Sequence, residues 1–369
     1  MTHIIKAIAS PKFTAILHTY NRPAFLRQSA DALLEQTYDH MEVILINNGA
    51  TEETREVLHE FESKDKRVRL LHFKENQYEP WDPLKMIDVC FNSALEMSTG
   101  DYVWSQEDDD LLAADYIEKM VNLFQGNSEC TSAAGLTASI DAEGNLITGE
   151  KHGRKTNFRS RYMPGHILAL EALRGSGAMY GNPGQIFSFK RDVLLKYGGF
   201  HRSYSYHQLY GIVPFGITGF DETAYFYWRR HEGQLNTELT QQGWFGTKEM
   251  FSLANDLNLE DKWRVYGNDT AKYVVKKIKD DQSKTVAYWF ALHFFDLRIK
   301  ASIKIVREIW FYPKFWLYLS KEMIQPKGFL KLGYYIVKPL LRPLLNCIDQ
   351  GFPELKNRST YFNKLIKHL

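Results

Sequence analysis

Asp101-Tyr102-Val103-Trp104-Ser105-Gln106-Glu107-Asp108-Asp109-Asp110-Leu111-Leu112 is an apolar run that turns abruptly into four consecutive acids. A short apolar run bounded by turn residues reads as a buried strand, so the acids stand at its carboxyl end. Carboxylates packed this closely repel one another, and each resists ionisation unless a cation sits among them. Hard oxygen ligands at a strand end suit Mg2+ or Mn2+, which complete their shell with phosphate oxygens and water. The plainer alternative is an acidic turn capping a helix that begins near Ala113, because Asp is favoured at helix N-termini.

The stretches before it weigh between the two. Phe13 to His18 is apolar and ends at Thr19-Tyr20-Asn21-Arg22-Pro23, with the proline suited to the first turn of a helix over Ala24 to Gln36 that repeats Phe25, Ala32, Leu33 and Leu34. Val43-Ile44-Leu45-Ile46 is a second buried strand; it runs into Asn47-Asn48-Gly49-Ala50-Thr51, and Thr51 can cap a helix with Glu52 and Glu53 in its first turn. Val68 to Phe73 is a third strand, and a helix over Leu84 to Ser98 leads through Thr99-Gly100 into the strand carrying the acids. Strands alternating with helices at this spacing predict an α/β fold with a mostly parallel sheet and helices on both faces. Such sheets bind ligands at the carboxyl ends of their strands. Thr19 to Arg22, Asn47 to Gly49, Asn76 with Gln77, and Glu107 to Asp110 all fall there, which makes the acids part of a convergent rim.

At 369 residues, 44% hydrophobic and 24% charged, the chain is long enough for two cored units. The net charge of +2 hides an asymmetry: the last ninety residues carry about twice as many Lys and Arg as Asp and Glu, which points to an anionic partner. Cys90, Cys130 and Cys347 offer neither a disulfide framework nor a zinc spacing and suit a reducing compartment. The beginning Met1-Thr2-His3-Ile4-Ile5-Lys6 does not read as a signal peptide, and no uncharged run of about eighteen apolar residues suggests a spanning helix. A cytoplasmic location is expected.

Ala15-Ile16-Leu17-His18-Thr19-Tyr20-Asn21-Arg22, Ile44-Leu45-Ile46-Asn47-Asn48-Gly49-Ala50, Asn92-Ser93-Ala94-Leu95 before Gly100-Asp101-Tyr102-Val103, and Glu107-Asp108-Asp109-Asp110 together resemble glycosyltransferase family 2 with the GT-A fold. The likeness extends over Phe187 to Asp192, Lys196-Tyr197-Gly198-Gly199-Phe200 and Tyr225 to Leu235, roughly residues 12 to 240. It implies a catalytic domain over 1–245 and inverting transfer of a sugar from a nucleoside-diphosphate donor; beyond about residue 245 the strand signals stop and helical periodicity predicts a helical region over 246–369. The resemblance further implies Asp109 as a metal ligand with Asp110 in support, Asp108 and Glu107 near the donor's ribose and sugar, and His231 at the family's Arg-x-His position, completing the metal shell or touching the diphosphate.

By the same resemblance the base lies over Thr19, Tyr20 and Asn21, with Arg22 beside it. Family members commonly have an aspartate after the second strand to accept the uracil N3 proton. Asn47 and Asn48 stand there in this chain, and an asparagine carbonyl can accept that proton while its amide donates to the neighbouring base oxygen. Lys85 lies one step from the basic residue often found ahead of the helix asparagine. The family's general base is an aspartate shortly after Gly-Gly-Phe, and His207 falls about there; imidazole is a competent base near neutral pH. Asp221 and Glu222 are its rivals.

Gly175 to Gly184 reads as a wall of the acceptor pocket and Glu232 to Trp244 as a segment that orders over bound donor. From Tyr288 to Leu345 aromatic side chains interleave with Lys and Arg, and Pro313, Pro326, Pro339 and Pro343 divide the stretch into short helices. That composition suits an anionic membrane surface, here the inner face of the cell membrane, or a homodimer contact. Nucleic acid is a poorer fit, because no recognised module accompanies the charge. The activity expected is bacterial surface-polysaccharide assembly with a UDP-sugar as donor and a glycan or lipid-linked glycan as acceptor. The alternatives are a silent protein that binds glycan or nucleotide, and a sugar-1-phosphate nucleotidyltransferase, whose glycine-rich phosphate loop Thr19-Tyr20-Asn21-Arg22-Pro23 does not supply.

Overall fold

The computed structural model describes residues 10–79, 84–147, 160–176, 187–203, 205–234, 257–295, 303, 306 and 315–319. Four parallel strands form the first half of the sheet: β1 (Phe13–Thr19), β2 (Met41–Asn48), β3 (Val68–Phe73) and β4 (Tyr102–Glu107). They are joined by α1 (Pro23–Leu34), by α2 (Glu52–Lys64) and, before β4, by a wide π-turn over Ile87–Phe91 that runs into α3 (Asn92–Met97). Every residue of β1 and β2 is buried, as covered faces require, whereas β3 at the sheet edge is half-exposed.

After the acids come β5 (Leu111–Leu112), α4 (Tyr116–Gly126), β6 (Cys130–Ile140), β7 (Tyr162–Pro164), α5 (Gly165–Leu173), β8 (Phe187–Lys190), α6 (Arg191–Lys196), the single turn α7 (Ser205–His207) and the long strand β9 (Ile217–Arg229). The sheet has nine strands in the order β3-β2-β1-β4-β8-β6-β9-β5, with β7 on β9. β8 inserts antiparallel between β4 and β6, so the second half is mixed. The expected α/β architecture with flanking helices is what the strands form, but the sheet is mixed and not mostly parallel: among the described strands four pairings are parallel and four antiparallel.

Helix α1 buries Leu26, Ser29, Ala30 and Leu33, a stripe spaced for one helical face, while Phe25 and Leu34 lie beside it half-covered. Thr51 does occupy the N-cap of α2, but its hydroxyl makes no cap bond; its backbone N–H is instead taken by Asn21 Oδ1 at 2.7 Å. Asn21 adopts a left-handed φ of 54°, and Gly49 one of 68°. A Cβ at Gly49 would lie 2.3 Å from the backbone nitrogen of Asn76, so only glycine lets the two loops approach.

The opposite, amino-terminal edge of the sheet is closed by Glu42. Its carboxylate accepts from Lys12 Nζ at 2.9 Å, Thr14 Oγ1 at 2.8 Å, the Thr99 backbone N–H at 2.6 Å and Arg69 Nη1 at 3.1 Å. Burial raises the pKa of Glu42, and these donors outweigh it, from Thr99 and Lys12 to Thr14, bringing it down to about 2.

The chain forms two compact units, one of residues 1–232 with 255–274 and one of 233–254 with 275–369. The expected boundary at 245 therefore falls inside the second unit, and the first takes back a later segment, α8 (Leu259–Trp263), in which the Trp263 indole N–H donates to the Tyr210 carbonyl at 2.9 Å. In the second unit the described residues are Gly233, Gln234, the part of α9 (Asn268–Phe295) from residue 275 onward, and 303, 306 and 315–319, with Val286, Ala287, Ala291, Phe315 and Leu319 as a small core. Among the described residues no helix is long and apolar enough to cross a membrane. Most of the aromatic, basic stretch from Tyr288 to Leu345, most of Gly175 to Gly184 and nearly all of Glu232 to Trp244 lie outside the described residues.

Candidate active site

The parallel register of β1 and β4 sets His18 beside Glu107, and one step further each chain turns out of the sheet. Two contacts result. His18 Nδ1 lies 2.6 Å from Glu107 Oε2, and Thr19 Oγ1 donates to Asp108 Oδ2 at 2.5 Å. Arg22, at the start of α1, reaches across with Nη1 3.1 Å from Asp108 Oδ1 and 3.0 Å from Asp109 Oδ2.

The turn through Asp108 and Asp109 is locked from two sides. Ser29 Oγ and Gln106 Nε2 donate to the Asp110 carbonyl at 2.8 and 3.1 Å. From β9, the Arg229 backbone N–H donates to Asp110 Oδ1 at 3.0 Å and its Nε to the Asp109 carbonyl at 2.7 Å. The same guanidinium donates to the Ala142 carbonyl at 2.7 Å and to Gln28 Oε1 at 2.8 Å, and it lies 4.9 Å from the Phe25 ring centroid. Two residues on, His231 packs against the same Phe25 ring, with centroids 4.7 Å apart, and brings Nε2 to 3.0 Å from Asp109 Oδ2.

Burial and charge make this an electrostatically loaded rim. Asp108 is pushed up to about 7, by burial first; Asp109 and Glu107 add to the rise while Arg22 and Thr19 oppose it. Asp110 is raised well above the usual carboxylate range, again by burial first and then by Asp109. His18 is lowered by burial, yet the Glu107 carboxylate and the Cys90 sulfur more than reverse this and bring it to about 10, which makes it an imidazolium at neutral pH.

The donor set fits a divalent cation at Asp109 and His231. The second ring nitrogen of His231, Nδ1, lies 2.6 Å from the Glu232 carbonyl, which can only accept, so Nδ1 carries a proton. Nε2 faces the Asp109 carboxylate, so the pair can form a hydrogen-bonded ion pair or hold a cation. The 3.0 Å separation is that of a hydrogen bond or ion pair, and the same two side chains are of the types that would hold a Mn2+ or Mg2+ ion. Among the described residues no three His, Cys, Asp or Glu side chains gather to hold a metal, so phosphate and water would supply the rest of the shell. Asp110 is not part of that pair; its carboxylate accepts from the Arg229 backbone, and it acts on the turn.

Other expectations meet a different structure. Asn47 Oδ1 accepts from the Ala50 N–H at 2.8 Å and Asn48 Oδ1 from the Gln77 N–H at 2.8 Å, and both residues are buried. They tie the loops after β2 and β3 instead of presenting an acceptor to a base. Lys85 pairs with Glu79 at 2.6 Å. Tyr20 is 40% exposed and free to offer its ring face.

His207 is placed where an acceptor hydroxyl has no access. The ring is 0% exposed, its Nε2 lies 3.2 Å from the Tyr197 carbonyl, and burial lowers its pKa to about 3, with His201 and Lys262 adding. A base must be reachable by the proton it removes, so His207 does not fill that role. Asp221 does not either. It accepts from the backbone N–H and hydroxyl of Thr223 at 2.9 and 2.6 Å in a bulge of β9, whereas the acids adjoin the far end of that strand through Arg229. At about 3.3 Å per strand residue the two places are on the order of 20 Å apart.

His18 and Arg229 carry the site and were given no role by sequence reasoning. The first is paired across 89 residues and the second across 119, a distance no local pattern reveals. Asn92 is a third: its amide clamps the Phe200 backbone, donating to the carbonyl at 2.8 Å and accepting the N–H at 2.7 Å, which joins two stretches of the resemblance in space.

A profile for glycosyl transferase family 2 matches residues 14–198, half of the chain and nearly the whole of β1 to β8. The chain belongs to glycosyl transferase family 2. An uncharacterized glycosyltransferase of Haemophilus influenzae is 33% identical over 148 residues, 40% of this chain and 56% of that one. TuaG of Bacillus subtilis, named for teichuronic acid biosynthesis, is 27% identical over 125 residues, 34% of this chain and 46% of its own length. The chain thus spans about half the length of these relatives. Of solved structures, Staphylococcus aureus TarS with UDP-GlcNAc has a TM-score of 0.48 at 13% identity, covering 84% of this chain and 91% of that one. A mannosyltransferase of Pyrobaculum calidifontis with GDP-Man and Mn2+ has 0.45 at 13%, covering 89% and 88%. Likeness at that level says nothing of this family member's donor or metal.

Proposed function

We propose that this family 2 protein transfers a sugar from a nucleoside-diphosphate donor, a UDP-sugar first among them, to a hydroxyl of a glycan or lipid-linked glycan, inverting the anomeric centre. The observation that carries the proposal is Asp109 Oδ2, 3.0 Å from both Arg22 Nη1 and His231 Nε2 at the carboxyl end of β4. Asp109 and His231 would hold a Mn2+ or Mg2+ ion, which when bound neutralises the charge that builds on a departing diphosphate. Arg22 adds a fixed cation beside it. Thr19 and Arg22 hold both oxygens of Asp108 and so fix the turn. Glu107, with a side chain 32% exposed, accepts a hydroxyl of the bound donor, and Tyr20 stacks on its base.

The similarity to TuaG, named for teichuronic acid biosynthesis, supports a role in bacterial surface-polysaccharide assembly at the inner face of the cell membrane, with the basic aromatic C-terminal region meeting anionic lipid or a second copy. The burial of His207 favours a second reading, a protein that binds donor without turning it over. Both are tested by melting the protein against UDP-glucose, UDP-N-acetylglucosamine and GDP-mannose with and without Mn2+, followed by assay of released diphosphate. A ligand at about a hundred times its Kd stabilises the native state by about 2.7 kcal/mol. A Mn2+-dependent rise with release upholds transfer, a rise without release upholds silent binding, and no rise with any donor removes both.

A further inference from the structure

We propose that His18 is a positioning residue of the donor site: by holding one carboxylate oxygen of Glu107 it directs the other to a hydroxyl of the donor, on its ribose or its transferred sugar. This rests on the function proposed above.

Three features of the rim lead to it. Glu107 is the exposed acid of the four, its side chain 32% exposed against 2% for Asp108 and 11% for Asp109, so a ligand can reach it. Both oxygens of Asp108 are engaged by Thr19 and Arg22, Asp109 Oδ2 by Arg22 and His231, and Asp110 Oδ1 by the Arg229 backbone. Glu107 is held by the His18 ring from the neighbouring strand β1, at 2.6 Å, in the short range of charge-assisted bonds. A carboxylate repels phosphate and accepts from hydroxyls, which makes a sugar or ribose hydroxyl its natural partner.

His18 itself is 3% exposed and touches no ligand, so it acts through Glu107. Its Nε2 is buried with no nitrogen or oxygen partner, and the soft Cys90 sulfur is a weak substitute for one. A side chain kept only for packing would not leave such a donor poorly satisfied, since an apolar residue of that size against Phe91, 5.6 Å away, would fill the space without the penalty. Stability is sacrificed where the carboxylate needs holding. Parallel pairing of β1 with β4 makes the hold rigid, because both backbones are fixed by the sheet.

The test compares wild type, His18→Leu, His18→Asn and Glu107→Gln in calorimetric binding of Mn2+ alone, of UDP and GDP with Mn2+, and of UDP-glucose, UDP-N-acetylglucosamine and GDP-mannose with Mn2+. Folding is followed by circular dichroism and melting. Leucine removes the donor, whereas asparagine keeps an N–H near the Nδ1 position. Expected is a loss of about tenfold in donor affinity for His18→Leu, the scale of one charge-assisted hydrogen bond, with Mn2+ binding within about twofold of wild type and substantial recovery in His18→Asn. Loss already present for the diphosphates assigns the hydroxyl to ribose; loss confined to nucleotide sugars assigns it to the transferred sugar. Glu107→Gln, which removes the carboxylate charge that faces both His18 and the ligand, should show the same pattern of donor loss. Equal losses for Mn2+, diphosphates and nucleotide sugars, or no loss in either variant, overturn the proposal. A wild type that binds Mn2+ but no nucleotide fails the proposed function itself, and the inference with it.

Discussion

His231 Nε2 lies 3.0 Å from Asp109 Oδ2 although 122 residues separate them in the chain. With Nδ1 committed to the Glu232 carbonyl, the pair is either an ion pair or two side chains that would hold a metal ion. Replacing His231 by alanine separates these. The expected outcome is a fall in Mn2+ affinity of more than about tenfold, the scale seen even when a metal ligand's outer partner is lost, with the apo protein melting close to wild type. Titration of Mn2+ by calorimetry measures it, and unchanged affinity would leave the pair a structural contact.

Arg22 answers for the charge on the same turn. It is the cation that opposes the rise of Asp108, whose pKa burial nonetheless brings to about 7. A carboxyl raised in the folded state binds more protons than the unfolded chain between its ordinary value and 7, so the metal-free protein loses stability as pH rises through that window. Mn2+ competes with the proton, and the melting rise it gives should be larger at pH 8 than at pH 6. In Arg22→Ala the opposing cation is gone and this dependence should move to higher pH, read from melting curves with and without Mn2+. A Mn2+ effect independent of pH in both proteins would contradict it.

Much of the fold and rim was legible in the sequence because it depends on periodicity and on strand ends. β1 to β4 announce themselves as apolar runs, and a parallel sheet gathers the polar residues after each run on one rim. The atoms that meet there were not legible. Asn47 and Asn48 have the right chemistry for a base, but their carbonyls are spent on Ala50 and Gln77, a matter of loop geometry. His207 has the right position in the chain, but the turn carrying it faces inward beneath Tyr197. His18 looks like one more residue of a buried strand until register sets it against Glu107.

Glu42 should govern acid stability at the other end of the sheet. Its folded pKa is lowered from 4.5 to about 2, so the unfolded chain takes up the proton first. Its contribution is therefore complete above about 4.5 and is lost as pH falls towards 2. Glu42→Gln removes charge-assisted bonds to Lys12, Arg69 and Thr99 and should cost on the order of 2 kcal/mol at pH 7, with a smaller difference from wild type at pH 3. Urea denaturation at the two pH values is the measurement. An equal cost at both would mean that charge on Glu42 is immaterial.

His207 provides the sharpest separation of structure from catalysis. As a neutral ring with its pKa lowered to about 3, it resists protonation in the fold, while in the unfolded chain it accepts a proton near its ordinary 6.5. Its burial therefore costs nothing above that value and destabilises progressively as pH falls from 6.5 to 3. Glutamine places an N–H near Nε2, able to donate to the Tyr197 carbonyl, and cannot be protonated. His207→Gln should then keep diphosphate release from donor within about threefold of wild type, since the ring touches no reactant. The loss of stability between pH 6.5 and 4 should become shallower, by up to about 1.36 kcal/mol for each pH unit. Initial rates across pH 6 to 9 and urea midpoints across pH 4 to 7 supply the two readouts. A rate that collapses in His207→Gln while the stability profile is unaltered would restore the ring as the proton acceptor and require the turn over Ser205–His207 to open during turnover.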